Sequence, residues 1–149
     1  MKWWWHTPVR RLLSEKDEAR VVAAISAAER RTSGEIRVHV ERRATGSALL
    51  SARSWFRRLG MDKTDEHNGI LFYVAVDERA FAIVGDAGIH ARVGDAFWNA
   101  LRDLMRDAFV KGDPAEGLSR AIEEAGVRLA EHFPRRTDDR NELTDEISY

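Results

Sequence analysis

Not one of the 149 residues is a cysteine. That absence excludes a disulfide framework, a thiolate metal site and a cysteine nucleophile. A surplus of either charge is lacking too: 24 Lys and Arg face 25 Asp and Glu, a formal net charge of −1. No general basic field is therefore present to hold a nucleic-acid backbone. No apolar run approaches the ~20 residues needed to span a bilayer, and the start MKWWWHTPVRR has no apolar stretch of the secretory kind. The expectation is a cytoplasmic protein. The chain also lacks a G-x-S-x-G elbow and an HExxH pair, and His6, His39, His67, His90 and His132 are scattered along it. What remains is 44% hydrophobic and 33% charged, ordinary for one soluble globular domain of this length.

The organisation follows from periodicity. Ser14 to Thr32 predicts a helix capped by Ser14, with Val21, Val22, Ala24, Ile25 and Ala28 on one stripe and Gly34 suited to a left-handed exit. Glu35 to Glu41 alternates strictly, which predicts a half-exposed strand near a sheet edge, its Ile36, Val38 and Val40 inward and Glu35, Arg37, His39 and Glu41 outward. Ala44 to Gly60 predicts a crossover helix. Ile70 to Val76 is an unbroken apolar run, expected of a strand covered on both faces. Asp77 and Glu78 turn the chain into an antiparallel partner over Ala80 to Val84. A glycine-punctuated acidic loop then leads to a helix over Asp95 to Lys111. A last helix is capped by Asp113, opens with Pro114 and Glu116, and packs through Leu118, Ile122, Ala125, Leu129 and Phe133 before Pro134. These bounds divide the chain into a Trp-rich extension (1–13), a domain (14–134) and an acidic, loosely held tail (135–149). Trp3, Trp4 and Trp5 suit packing on the domain or self-association better than a membrane anchor, since no amphipathic helix accompanies them.

Strand, crossover helix and strand form a right-handed parallel unit, and the hairpin adds an antiparallel third strand. The fold class is α/β, a sandwich on a small mixed sheet. Strand direction then gathers Glu35, Asn68, Asp86, His90 and Asp95 at one end, with Asp62, Asp65 and Glu66 in the adjoining loop. Such an oxygen-rich set suits Ca²⁺ or Mg²⁺, and Glu35, Asn68, Asp86 and Asp95 are the expected metal ligands. Zn²⁺ fits poorly without Cys or a second nearby His. Each residue also has a plainer role: Asp95 as a helix cap, Asp86 as a turn residue, Glu35 as one of an outward row, Asn68-Gly69 as a turn pair. Their coincidence at one edge, not any single residue, carries the metal reading. The Gly-Asp-Ala-Gly loop lacks the spacing of a phosphate loop, and its own Asp86 opposes a phosphate that no metal bridges.

TSGEIRVHV, HNGILFYVAVDERAFAIVGDAGIHARVGDAFW and FVKGDPAEGL, with an aromatic crossover helix between the first two, resemble the TPM domain family over about residues 14–134. The ending NELTDEISY is similar to that of short single-domain bacterial members. The resemblance implies a three-layer α/β/α sandwich. It also implies either Ca²⁺ or Mg²⁺ binding without evident phosphatase activity, as in some short members, or acid phosphatase activity, as assigned to a plant thylakoid lumen relative. Other relatives include a photosystem II repair factor and a membrane-bound modulator of acetylcholine receptors. Glu35, Asn68, Gly69, Arg79, Gly85, Gly88 and Asp95 match the family pattern. Asp86 stands where the pattern has an aromatic residue, and His90 where it has an acid, so one carboxylate is lost and another gained. The leading expectation is a divalent-cation-binding module acting through a protein partner the sequence does not name. The alternatives are a metal-assisted phosphomonoesterase, with Asp86 or Asp95 as ligand or base, and a scaffold that binds a partner without metal.

Overall fold

A computed structural model describes residues 13–135 and 145–149; the tryptophan cluster lies outside them. Among the described residues, five α-helices surround a three-stranded sheet of order β1-β2-β3. Helix α1 (Glu15–Glu29) starts at Ser14, whose hydroxyl accepts the Asp17 amide at 3.0 Å and satisfies one of the donors a helix start leaves free. Strand β1 (Glu35–Glu41) follows, then α2 (Ala48–Arg58), capped by Ser47. A single 3₁₀ turn (Met61–Lys63) precedes β2 (Gly69–Ala75), and β3 (Ala80–Gly85) returns from it. One turn of helix, α3 (Ala87–His90), fills what the sequence predicts as loop. Helix α4 (Asp95–Lys111) and helix α5 (Pro114–His132) follow, with Asp113 accepting the Glu116 amide at the start of α5.

β1 and β2 are parallel, Glu35 opposite Gly69 through Glu41 opposite Ala75; β2 and β3 are antiparallel, Ile70 opposite Gly85 through Ala75 opposite Ala80. This is the expected mixed sheet. Every residue of β2 is buried, because successive side chains point to opposite faces and both faces are covered. Ile70, Phe72 and Val74 join Ile36, Val38 and Val40 in the main core with Val21 and Ile25 of α1, Leu101 and Met105 of α4, and Leu118 and Ile122 of α5. Tyr73 and Ala75 pack instead with Ala52 and Trp55 of α2, and Leu71 with Phe56. Helices on both faces of one sheet make the α/β/α sandwich.

Three expectations need correction. The polar side of β1 is not an outward row: Glu35 and His39 are buried, His39 beneath Trp55 of α2, while Arg37 and Glu41 are half-buried. Gly34 does not take a left-handed conformation; it is confined by neighbours, and a Cβ there would stand 3.0 Å from Leu129 Cδ1 and 3.3 Å from the Asn68 carbonyl oxygen. The end of the tail is not loosely held, because residues 145–149 lie against the free edge of β1, with Ile147 in the main core.

Candidate functional site

β1 and β2 begin at one end of the sheet, and β3 finishes there. The Asp86 amide donates to the Gly69 carbonyl at 3.0 Å, and Gly69 is the register partner of Glu35. Glu35, Asn68 and Asp86 therefore occupy one rim, as strand direction predicts. Glu35 and Asp86 stand two strand spacings apart, about 10 Å between Cα atoms.

The loop before β2 ties this rim together. Asn68, 1% exposed, donates through Nδ2 to Ser33 Oγ (3.3 Å) and Glu66 Oε2 (3.2 Å), and the Ser33 hydroxyl donates to the same Glu66 oxygen at 2.7 Å. The Asn68 amide donates to Thr64 Oγ1 at 3.4 Å. His67 adopts a left-handed φ of 50°, which a residue with a Cβ takes only when its surroundings compel it. Its carbonyl accepts the Gly88 amide at 2.9 Å. That approach leaves no room for a side chain at Gly88, where a Cβ would stand 2.4 Å from the Glu66 carbonyl oxygen and 2.5 Å from that of His67. The glycine thus locks two loops together; it does not shape a phosphate cradle.

Asp86 has a divided role. Oδ1 accepts the Ala87 amide at 2.8 Å and caps α3, whereas Oδ2 is buried, accepts no hydrogen bond and lies 3.4 Å from His67 Nδ1. Asp95, also expected here, is the exposed first residue of α4; Gly94 holds the cap position, and no hydrogen bond or ion pair ties Asp95 to the other three. His90 is turned toward Trp98, ring centroids 5.0 Å apart. Among the described residues no three His, Asp or Glu side chains are grouped closely enough to hold a metal ion as they stand. Ser33, Thr64 and His67 complete the rim, and the sequence reading does not single them out; the Thr-Ser-Gly before β1 is the only signal for Ser33, the His-Asn-Gly before β2 the only one for His67, and Thr64 has none.

A second polar cluster lies under α2. His39 is fully buried, stacked on Trp55 at 3.8 Å, which in turn carries the Arg58 guanidinium at 3.8 Å. Its Nδ1 is 2.9 Å from Ser148 Oγ, and its Nε2 is 3.6 Å from Glu41 Oε1. Burial, outweighing the attraction of Glu41, pushes the imidazole down to about 4, so it is neutral at pH 7. The Tyr73 hydroxyl donates to Glu41, and burial first, then that bond, holds the phenol above its usual range.

The fold and rim define a class: an α/β/α domain that presents oxygen donors at the common end of two parallel strands and a hairpin. The chain belongs to the TPM domain family, whose model matches residues 9–128. It is similar to the BA42 protein of the psychrophilic bacterium Bizionia argentinensis, solved by NMR: 41% identical, TM-score 0.87, covering 95% of this chain and 98% of that one. The N-terminal domain of a protein from P. gingivalis (22%, TM-score 0.65, 85% of this chain and 83% of that one) shares the fold. So does the N-terminal domain of the cg2496 protein of Corynebacterium glutamicum (20%, TM-score 0.60, 79% and 74%). No curated protein sequence matches. Among the described residues no helix is long and apolar enough to cross a membrane.

Proposed function

We propose that this TPM domain binds a hard divalent cation, Ca²⁺ or Mg²⁺, at the strand-start rim and acts through protein contacts. The observation that carries the reading is Asp86 Oδ2, a buried carboxylate oxygen without a hydrogen bond, on a rim shared with Glu35, Glu66 and Asn68. The exposed His67 imidazole 3.4 Å away makes no hydrogen bond to this oxygen and offsets its charge only when protonated, so a cation lowers the cost of burying it. The donors on offer are carboxylate, amide and hydroxyl oxygens, the chemistry that Ca²⁺ and Mg²⁺ prefer. Because Glu35 and Asp86 sit two strands apart, the ion draws them inward or completes its shell with backbone oxygens and water. Bound there, it supplies positive charge that orders the 64–68 loop against α3.

The test is thermal melting in EDTA, Ca²⁺ and Mg²⁺, with ¹H–¹⁵N spectra across a Ca²⁺ titration. An ion that binds only the folded state adds about 2.7 kcal/mol of stability at 100 times Kd. Asp86→Asn, which keeps an oxygen to cap α3, is expected to abolish the gain. Asp95→Asn abolishes it as well if Asp95 is a ligand, and leaves it intact if Asp95 only opens α4. Midpoints that ignore both ions, or shifts confined to 135–149, refute the reading. Phosphomonoester turnover that requires Asp86 would assign hydrolysis to the same rim.

A further inference from the structure

Among the described residues no named β-strand pairs the outer edge of β1, because β2 lies on the other side. The Ile36 amide donates to Glu29 Oε2 at 2.8 Å. Beyond it the C-terminal segment runs parallel to β1: the Ser148 amide donates to the Val38 carbonyl at 2.9 Å, and the Val40 amide donates to the Ser148 carbonyl at 2.8 Å. Backbone pairing alone tolerates any sequence, but here the side chains are read as well. Ile147, 8% exposed, enters the main core. Ser148 Oγ meets His39 Nδ1 at 2.9 Å, the Tyr149 hydroxyl donates to Glu18 Oε2 at 3.1 Å, and Asp145 Oδ2 accepts the Ser26 hydroxyl at 2.9 Å. The Asp145 carboxyl also neighbours that of buried Glu29, which burial first and that neighbour second hold above its usual range.

We infer that the β1 edge and the flanking turns of α1 form a strand-acceptor groove, that residues 145–149 are its resident ligand, and that the C-terminus of a second copy is its other occupant. An uncovered edge strand is a template for strand addition. These contacts are the same whether the segment arrives from its own chain or from another copy. Only the tether favours the resident strand, through an effective concentration on the order of millimolar. Withdrawing that strand opens the groove to an identical one, the usual route to segment exchange between copies. This inference is independent of any ion at the rim.

The experiment uses full-length protein carrying Ile147→Asp, which places a charge in the core and unlatches the segment. A synthetic peptide Asp-Glu-Ile-Ser-Tyr is then titrated into it and into the wild type. The expected result is saturable shifts of the Val38 and Val40 amides in the variant and none in the wild type at equal concentration. The same peptide with Asp in place of Ile is expected to bind about tenfold more weakly or worse. Wild-type protein near its own effective concentration should form a dimer that excess peptide dissolves. A natively folded variant whose Val38 and Val40 amides ignore the peptide, or equal shifts in both proteins, overturns the groove. A monomer at every concentration overturns the second copy as occupant. If Ile147→Asp loses the fold, Ser148→Pro, which deletes the amide donated to Val38, takes its place.

Discussion

The two faces of the sheet are built on different terms. On one, Ile36, Val38, Val40, Ile70, Phe72 and Val74 lie in a single apolar core beneath α1, α4 and α5. On the other, the same strands turn Arg37, His39, Glu41, Leu71, Tyr73 and Ala75 toward α2, where the apolar contacts divide into two small clusters. The first face is held by area removed from water. The second buries ionisable groups that burial and mutual hydrogen bonds keep in fixed protonation states. Arg37 belongs to this face too, its guanidinium pushed down by burial against the pull of Glu146 and Glu29.

The largest expected effect breaks the comparison on the apolar side. Phe72 is fully buried in the main core, so Phe72→Ala should cost about 3–5 kcal/mol in urea or thermal unfolding. Leu71→Ala, one residue along and on the other face, should cost less, because its cluster is small and can collapse around the gap. Equal losses would show that the two faces are held alike.

A pH series sharpens the polar side. The folded pKa of His39 is depressed from 6.5 to about 4, so the folded state binds fewer protons than the unfolded state between those values. Its contribution is therefore fully present above pH 6.5 and lost as pH falls through the window toward 4. At about 1.4 kcal/mol per pK unit the loss is roughly 3 kcal/mol. The difference in stability between wild type and His39→Gln, measured from pH 7.5 to 4, isolates this imidazole from the carboxylates that titrate in the same range. A difference that stays flat through that window would mean that His39 titrates as if in water.

Periodicity counts faces, and it does so well here; it does not say what covers them. The unbroken apolar run Ile70 to Val76 announces a strand buried on both sides, and β2 is so buried. The alternation Glu35 to Glu41 has the same pattern as a strand open to water. Its polar row lies instead under a helix that offers Trp55 as a stacking partner for His39. Glu35, Asn68 and Asp86 reach one rim because strand direction alone dictates it, and Asp113 and Ser14 cap the helices where the sequence puts them. The Ser33–Asn68–Glu66 network depends on long-range approach that no local spacing records. The tail reads as acidic and polar, yet Ile147 and Tyr149, two residues apart, are the period of a strand with one buried side. Composition averaged over fifteen residues hides that pair.

The smallest effect tests how much of the polar face is bonding and how much is packing. Tyr73→Phe keeps the ring under α2 and removes only the hydroxyl donated to Glu41. The Glu41 side chain is 21% exposed, so water replaces the lost donor in part and the penalty stays near about 1 kcal/mol. Freed of that bond, Glu41 keeps the imidazole as a near partner on this face, Oε1 lying 3.6 Å from Nε2. The His39 acid transition should then move upward toward 6.5, since a carboxylate less engaged elsewhere stabilises the imidazolium more. A Tyr73→Phe protein with unchanged stability and an unmoved His39 titration by NMR would mean that the ring alone, and not the hydroxyl network, holds this side of the sheet.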